Sequence, residues 1–136
     1  MTATTVGGII LRMQQGKQEV LLTQRNVEPF KGMWCIPGGH IEPYEDAISA
    51  VIREIKEETN LDFMPVFLTY LDEIFEDRKI HNVVLLFYGE ATNKLVASPD
   101  EVTEAGWFPM EEALQMDLAF FHNDALKIFR ERTGGK

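Results

Sequence analysis

Apolar residues along the chain fall into five strand-like runs and three helical segments. The strand-like runs are 6–13, 19–25, 63–75, 79–92 and 105–109. A polar turn joins the first two runs, which predicts a β-hairpin, and polar segments at 26–33 and 93–104 predict loops. The helical segments are 42–59, 110–116 and 122–132. Strands followed by one helix and later by two more predict an α/β fold, in which a mixed β-sheet has helices on both faces.

Segment 42–59 carries the clearest helical pattern. Its predicted core stripe has the spacing i, i+3, i+4, i+7 and consists of Ile48, Val51, Ile52 and Ile55. Three glutamates share an adjacent face, about 115° from that stripe at 100° per residue. These glutamates are Glu54, Glu57 and Glu58. Ala47 and Ala50 are predicted on the carboxylate side, where small side chains would let a diphosphate come close to the helix.

Three carboxylates on one helical face repel one another and raise each other's pKa unless a cation lies between them. Hard oxygen ligands suit Mg²⁺, and Mn²⁺ is expected to substitute for it. The alternative is a solvated acidic face, in which Arg53 and Glu57 form an ordinary i,i+4 ion pair. The residues around the glutamates decide between these interpretations.

The composition bounds the class of protein and its partners. The 136 residues are 45% hydrophobic and 26% charged, which predicts one domain, residues 1–136, with its own core. The net charge of −9 and the lack of a Lys/Arg cluster argue against a nucleic-acid partner, and an acidic protein that handles phosphates needs a metal. The single cysteine, Cys35, fits a reducing compartment. With no signal-like or membrane-length apolar run, a cytoplasmic protein without a membrane partner is expected.

Residues 39–61 contain six positions at the spacing G-x5-E-x7-R-E-U-x-E-E, where U is aliphatic. The six residues are Gly39, Glu45, Arg53, Glu54, Glu57 and Glu58. At average composition, such a match arises by chance with a probability of about 10⁻⁷ per starting position. The segment resembles the Nudix box, and Trp34-x-x-Pro37-Gly38-Gly39 precedes it as in many Nudix enzymes. The resemblance implies a Nudix-type α/β/α sandwich.

The resemblance also implies roles for individual residues of the box. The expected metal ligands are Glu54, Glu57, Glu58 and the backbone carbonyl of Gly38. Glu45 and Arg53 are expected to form a salt bridge that fixes the loop–helix–loop, and Gly39 is expected to allow close backbone approach. Asn60 stands where the family usually has glycine. Because asparagine tolerates a positive φ, we expect both the fold and the ligands to be kept.

The resemblance implies hydrolysis of a nucleoside diphosphate linked to another group. Metal ions activate water and polarise phosphoryl oxygens, so such sites depend mainly on positioning and charge neutralisation. The general base is expected to be one of the box glutamates or an acid of the later loop, Glu101 or Glu104. These two precede Trp107 as in similar enzymes. Glu57→Gln is predicted to leave folding intact and to remove most of the turnover.

The segments around the last strand resemble those of Nudix enzymes that act on ADP-ribose and related nucleotide sugars. The resembling stretches are Trp107-Phe108-Pro109 and Leu118-Ala119-Phe120-Phe121-His122. The candidate substrate-binding residues are Arg25, Phe30, Trp34, Gly39, Tyr44 and Phe121. Aromatic rings stack on bases, and an arginine pairs with phosphate. Core packing of the aromatic residues and an exposed strand-end charge at Arg25 are the alternatives.

ADP-ribose, cut to AMP and ribose 5-phosphate, is the first expected substrate of this small-molecule nucleotide enzyme. A housecleaning (deoxy)nucleoside triphosphate pyrophosphatase would share the metal site and differ in the pocket. A nucleotide sensor of this fold usually lacks box carboxylates, and a variant that cleaves the C–O bond of GDP-mannose departs from the standard box. Both are disfavoured here. A homodimer is also expected, with 63–75 and the N-terminal segment as candidate interfaces.

Overall fold

The computed structural model describes residues 2–134. The strands are β1 (Ala3–Gln14), β2 (Lys17–Arg25), β3 (Trp34–Cys35), β4 (Gly38–His40), β5 (Asp62–Phe63), β6 (Val66–Phe75), β7 (Ile80–Gly89), β8 (Ala91–Thr92) and β9 (Val102–Pro109). The helices are α1 (Ala47–Thr59), α2 (Met110–Gln115) and α3 (His122–Thr133), and a 3₁₀ turn spans Glu76–Arg78. None of the helices in this part of the chain has the length and apolar character needed to cross a membrane.

A seven-stranded mixed sheet forms the centre of the fold. Five of its strands lie in the order β3-β2-β1-β7-β6, and the other two, β4 and β9, pair with β1 and β2. β1 runs parallel to β7, whereas its hairpin with β2 is antiparallel. That hairpin pairs only Leu11–Gln14 with Lys17–Val20, and at Thr5–Gly7 the neighbour of β1 is β4 instead. β2 also pairs with β9 along Glu19–Arg25 and with β3 at Thr23 and Gln24. The sheet is therefore divided into two portions. One consists of β4, β1, β7 and β6, and the other of β3, β2 and β9. Residues from both portions line one cavity.

Alternate residues of the central strands pack into two separate cores. Ile9 and Leu11 of β1 contact the core that contains Phe129 of α3. Val6 and Ile10 of the same strand contact the core formed with α1. Because successive strand residues point to opposite faces, one apolar strand can be buried on both sides. The predicted α/β/α sandwich, a mixed sheet with helices on both faces, is confirmed.

Helix α1 is shorter than its pattern predicts, because it begins at Ala47 rather than at residue 42. Asp46 is the N-cap, and its Oδ1 accepts a hydrogen bond from the Ser49 N–H at 2.8 Å. Such a cap satisfies an N–H group that has no partner within the helix. Asn60 ends the helix with a φ of 68°, as predicted for a left-handed C-terminal residue.

The predicted core stripe of α1 is wrong at two of its four positions. Val51 and Ile55 are fully buried, but Ile48 and Ile52 are 54% and 38% exposed. The face turned towards the sheet instead includes Ala50, with Glu54 and Glu58 beside it. These last three are buried at 0%, 8% and 4% exposure, so Ala50 packs in the core and does not face a diphosphate. Relative to the predicted orientation, the helix is rotated so that two of its carboxylates point into the divided sheet.

Two further boundaries differ from the predicted ones. The predicted loop 93–104 ends earlier, because β9 begins at Val102 and extends the ladder with β2. The predicted strand 79–92 divides at Gly89, after which Ala91–Thr92 leaves the main sheet and pairs with β5. In both cases the pairing partner determines where the strand starts or stops.

Candidate metal centre and its cavity

Three carboxylates from two parts of the chain converge at the edge of the divided sheet. Glu54 and Glu58 lie one helical turn apart on α1, and Glu101 immediately precedes β9. One oxygen of each of the three lies within 4.8 Å of the others. Glu54 and Glu58 are buried, whereas Glu101 is exposed. Helical spacing aligns the first two, and the chain that enters β9 brings in the third.

Burial and mutual repulsion disfavour the charged forms of these carboxylates unless a cation balances them. Burial raises the pKa of Glu58 well above its ordinary value, and the charges of Glu54 and Cys35 raise it further. Burial also raises the pKa of Glu54, although hydrogen bonds from Arg53 and Glu58 oppose the effect. Among the described residues, Oε2 of Glu58 has no hydrogen-bond partner. Buried acids with an unpaired oxygen fit a divalent cation with oxygen ligands.

Arg53 links the helix to the loop that precedes it. Its Nε donates to Oε2 of Glu45 at 2.7 Å, and its Nη2 donates to Oε1 of the same carboxylate at 2.9 Å. Nη1 donates to Glu54 at 2.9 Å, and Nη2 also reaches the carbonyl of His40. The hydrogen bonds from Arg53 lower the pKa of Glu45 to about 2. The structure thus contains the expected Glu45–Arg53 salt bridge, which also orients Glu54.

Gly38 and Gly39 form β4 and allow it to lie against both β1 and α1. A Cβ atom on Gly39 would lie 2.5 Å from Cδ of Glu54. A Cβ atom on Gly38 would overlap the carbonyl oxygen of Val6 and lie 2.9 Å from Cα of Gly7. Contacts below 3.0 Å are essentially never seen for a real Cβ. The two glycines therefore serve different contacts, since one faces a side chain and the other faces backbone.

A cavity of about 580 Å³ opens beside the carboxylates. Among the predicted site residues it is lined by Arg25, Gly38, Gly39, Glu54, Glu58 and Glu101. Further lining residues with polar or aromatic side chains include Cys35, Glu73, Asn82, Phe120 and His122. A volume of this size is typical of small-ligand sites.

Two predicted acids lie outside this arrangement. The Glu57 side chain is 56% exposed, and its carboxylate is 3.4 Å from Nη1 of Arg53. Glu104 is exposed on β9, where it pairs with Gln24 of β2. Of the two candidate acids near the last strand, the structure brings only Glu101 to Glu54 and Glu58.

The four aromatic candidates also lie outside the cavity lining. Phe30 packs edge-on against Phe120, with ring centroids 4.9 Å apart, and Phe121 stacks on Phe75 at 4.5 Å. Trp34 packs edge-on against Phe108 beside the α2–α3 core. Tyr44 is fully exposed, with a φ of 66°. The aromatic ring that does line the cavity is that of Phe120.

Sequence reasoning missed a buried polar group on the far side of the cavity, formed by Cys35, Glu73 and His122. The three side chains are buried. Burial raises the pKa of the Cys35 thiol, but its interactions with His122 and Thr23 outweigh burial and leave the pKa lowered. Glu73 had a detectable signal in the sequence. On β6 it lies between Leu71 and Phe75 on the inward face of the strand, where an apolar residue would be expected. His122 was noted only as the end of a motif and a helix start.

Comparison with known proteins agrees with this fold. The NUDIX domain family model matches residues 1–129. An ADP-ribose pyrophosphatase of Methanocaldococcus jannaschii is 31% identical, over 98% of this chain and 76% of that protein. An ADPR responsive transcriptional repressor, NtrR, of Acinetobacter baylyi is 29% identical over 97% of this chain. The chain spans about half (54%) of the length of that repressor.

Solved structures show the same architecture. The NUDIX domain of Shewanella oneidensis NrtR, crystallised with ADP ribose, superposes with a TM-score of 0.87 and 26% identity, over 97% of this chain and 88% of that one. A MutT NUDIX hydrolase from Burkholderia pseudomallei superposes with a TM-score of 0.83 and 26% identity, over 93% and 97% of the two chains. The chain belongs to the NUDIX domain family.

Proposed function

We propose that this protein is a metal-dependent Nudix hydrolase that cleaves the diphosphate linkage of nucleoside diphosphate sugars such as ADP-ribose. The products would be a nucleoside monophosphate and a sugar phosphate. The observation that carries the proposal is the convergence of Glu54, Glu58 and Glu101 at the wall of a cavity of about 580 Å³. The similarity to an ADP-ribose pyrophosphatase and to a domain crystallised with ADP ribose supports the substrate class.

The proposed metal ligands are the three converging carboxylates and the backbone carbonyl of Gly38. Mg²⁺ is the proposed ion and Mn²⁺ its substitute, because carboxylate and carbonyl oxygens are hard ligands. When bound, such an ion neutralises phosphate charge and lowers the pKa of a coordinated water. This set of ligands includes Glu101 in place of Glu57, because the Glu57 side chain faces solvent beside Arg53.

The chain's own residues would position the substrate. Arg25 lines the cavity, and its Nε donates to the carbonyl of Pro29 at 2.6 Å, which leaves its terminal nitrogens to face a phosphate. Phe120 also lines the cavity, and its ring lies under the Arg25 guanidinium, with 5.1 Å between the ring centroid and Cζ. Glu101 is the proposed general base, because it is the exposed member of the three acids and can reach a water at the cavity mouth.

Hydrolysis of a nucleotide panel tests the proposal directly. ADP-ribose, GDP-mannose, UDP-glucose, dGTP and 8-oxo-dGTP would be incubated with Mg²⁺, with Mn²⁺ and with EDTA. We expect metal-dependent turnover concentrated on the sugar nucleotides, with ¹⁸O from labelled water in the phosphate products. A preference for triphosphates would instead assign a pool-cleaning pyrophosphatase, and label on the sugar would contradict P–O cleavage.

A nucleotide sensor is the second candidate, and the similarity to an ADPR responsive repressor favours it. That repressor is longer than this chain, and the match covers 97% of this chain and 54% of the repressor. The intact box acids favour catalysis, because a sensor has no need of a carboxylate cluster. Tight ADP-ribose binding in the presence of Mg²⁺ without any turnover would support the sensor and contradict the hydrolase.

The expected homodimer is also proposed through β6, the edge strand of the main sheet. This strand exposes Val66, Phe67, Tyr70 and Ile74. An edge strand with several exposed apolar side chains is prone to association with another chain. Sedimentation of the wild-type protein and of Tyr70→Lys would test it, and a monomeric wild type would contradict it.

A further inference from the structure

The start of α3 and the segment before it are joined to β3 and the residue after β3 by two hydrogen bonds. The N–H of Ala119 donates to the carbonyl of Trp34 at 2.9 Å. The N–H of Ile36 donates to Nδ1 of His122, also at 2.9 Å. Phe120, between the two contacts, has a φ of 56°, a conformation that its side chain disfavours. The contacts with β3 hold this segment in place against that cost.

His122 lies between the backbone of Ile36 and the carboxylate of Glu73. The side chains of His122 and Glu73 are 8% and 4% exposed, and Nε2 lies 3.6 Å from Oε2 of Glu73. Oε1 of Glu73 is held by Nδ2 of Asn82 at 3.3 Å. Oε2 has no hydrogen-bond partner among the described residues, so it faces the imidazole alone.

The hydrogen bond from Ile36 specifies how His122 is protonated. Burial lowers the pKa of His122, but contacts with Cys35 and Glu73 outweigh it and raise the pKa to about 9. The Ile36 amide opposes protonation, because Nδ1 can accept its hydrogen bond only while that nitrogen carries no proton. In the observed geometry, with the Ile36 N–H 2.9 Å from Nδ1, the ring holds its proton on Nε2, facing Glu73, and presents Nδ1 to the backbone. In this form one side chain connects β6, α3 and the residue that follows β3.

The backbone held by His122 continues directly into the metal centre. Pro37 follows Ile36 and restricts φ, and its carbonyl accepts a hydrogen bond from the Gly8 N–H at 3.0 Å. Gly38 comes next and is already paired with Gly7 of β1. No freely rotating residue separates the contact with His122 from Gly38. A shift at Ile36 would therefore be transmitted to the Gly38 carbonyl.

We propose that His122, oriented by Glu73, is a positioning residue for the metal centre that acts through the backbone of residues 36–38. It lines the cavity but is not one of the three converging carboxylates, and it sets where the Gly38 carbonyl lies relative to that cluster. The inference rests on the proposed function in one respect, namely that the Gly38 carbonyl is a metal ligand. It gives a physical role to the histidine at the end of the stretch 118–122.

Two amide variants of His122 test the inference. Asparagine places its Oδ1 near the position of Nδ1 and can accept the Ile36 hydrogen bond, whereas glutamine places its oxygen near the position of Nε2. The direct measurement is Mn²⁺ binding, by calorimetry and by electron paramagnetic resonance, without substrate. We expect His122→Asn to keep nearly the wild-type Kd and His122→Gln to raise it about tenfold, in the range of outer-shell effects.

A third variant separates positioning from general stability. Leu126→Ala removes a fully buried side chain of α3 and leaves the His122–Ile36 contact in place. We expect it to lower Tm and to leave the Kd for Mn²⁺ unchanged. Equal Kd values for His122→Asn and His122→Gln would overturn the inference, and so would a Kd that follows Tm across all three variants. If the wild type binds no Mn²⁺, the proposed metal centre fails and this inference fails with it.

Discussion

Replacing Gly39 by alanine would put a methyl group where the Glu54 carboxylate now lies. The new Cβ would be 2.5 Å from Cδ of Glu54 and 2.7 Å from Oε1, below the 3.0 Å limit for a real contact. The obstacle is the end of a side chain, so the fold can survive if Glu54 moves. However, Arg53 holds Oε1 of Glu54 at 2.9 Å and resists that movement. The methyl group therefore displaces a proposed metal ligand rather than unfolding the protein.

The size of the effect follows from the displacement. The Glu54 carboxylate must move by about 0.5–1 Å to relieve the contact. A misplacement of ~1 Å in a catalytic site costs on the order of 10²-fold in rate, which corresponds to about 2.7 kcal/mol in activation free energy. We therefore expect Gly39→Ala to lower kcat/KM for ADP-ribose by between about ten- and a hundredfold, and to weaken Mn²⁺ binding as well.

The assay compares steady-state hydrolysis, Mn²⁺ affinity and Tm with those of a matched glycine variant. At Gly106 of β9, the nearest atom to a new Cβ would be a ring carbon of Phe108 at 3.7 Å, an ordinary contact. Gly106→Ala should therefore keep wild-type kinetics. Gly38→Ala should unfold or strongly destabilise the protein, because its Cβ would meet the backbone of Val6. A Gly39→Ala enzyme with wild-type kcat/KM and Mn²⁺ affinity would refute the reasoning.

Three more predictions concern the acids of the box and of the last loop. Because the pKa of Glu58 is raised above 4.5, the folded metal-free protein holds a proton that the unfolded chain releases. The unfolding free energy should therefore fall as the pH rises above that value. Glu58→Gln should make the fall smaller, with the raised pKa of Glu54 accounting for what is left, and an equally steep fall in wild type and variant, measured by melting in EDTA, would contradict this. Glu101→Gln should lower kcat/KM at least about tenfold while Glu104→Gln leaves it near wild type, and equal losses would argue against the cluster. Glu57→Gln should keep most of the Mn²⁺ affinity and turnover, contrary to the prediction from sequence; loss of either would return Glu57 to the ligand set.

The sequence by itself determined the class of fold and the helix that carries the acids. The spacing of Glu54 and Glu58 aligns them because residues four apart lie on the same side of any α-helix. Asn60 is also a local signal, since a cap involves only the residues next to it. Such features are encoded within a few residues, although the N-cap Asp46, equally local, was not identified from the pattern, which placed the start of the helix at residue 42.

Only the tertiary structure decided which distant groups meet. The rotation of α1 left Ile48 and Ile52 in solvent, because helical spacing specifies relative positions on a helix and not the face that the sheet receives. Glu101 joins the box acids through the pairing of β9 with β2. The contact between His122 and Ile36 likewise spans most of the chain. Which distant side chains meet depends on how the strands and helices pack around the divided sheet, and no local pattern specifies it.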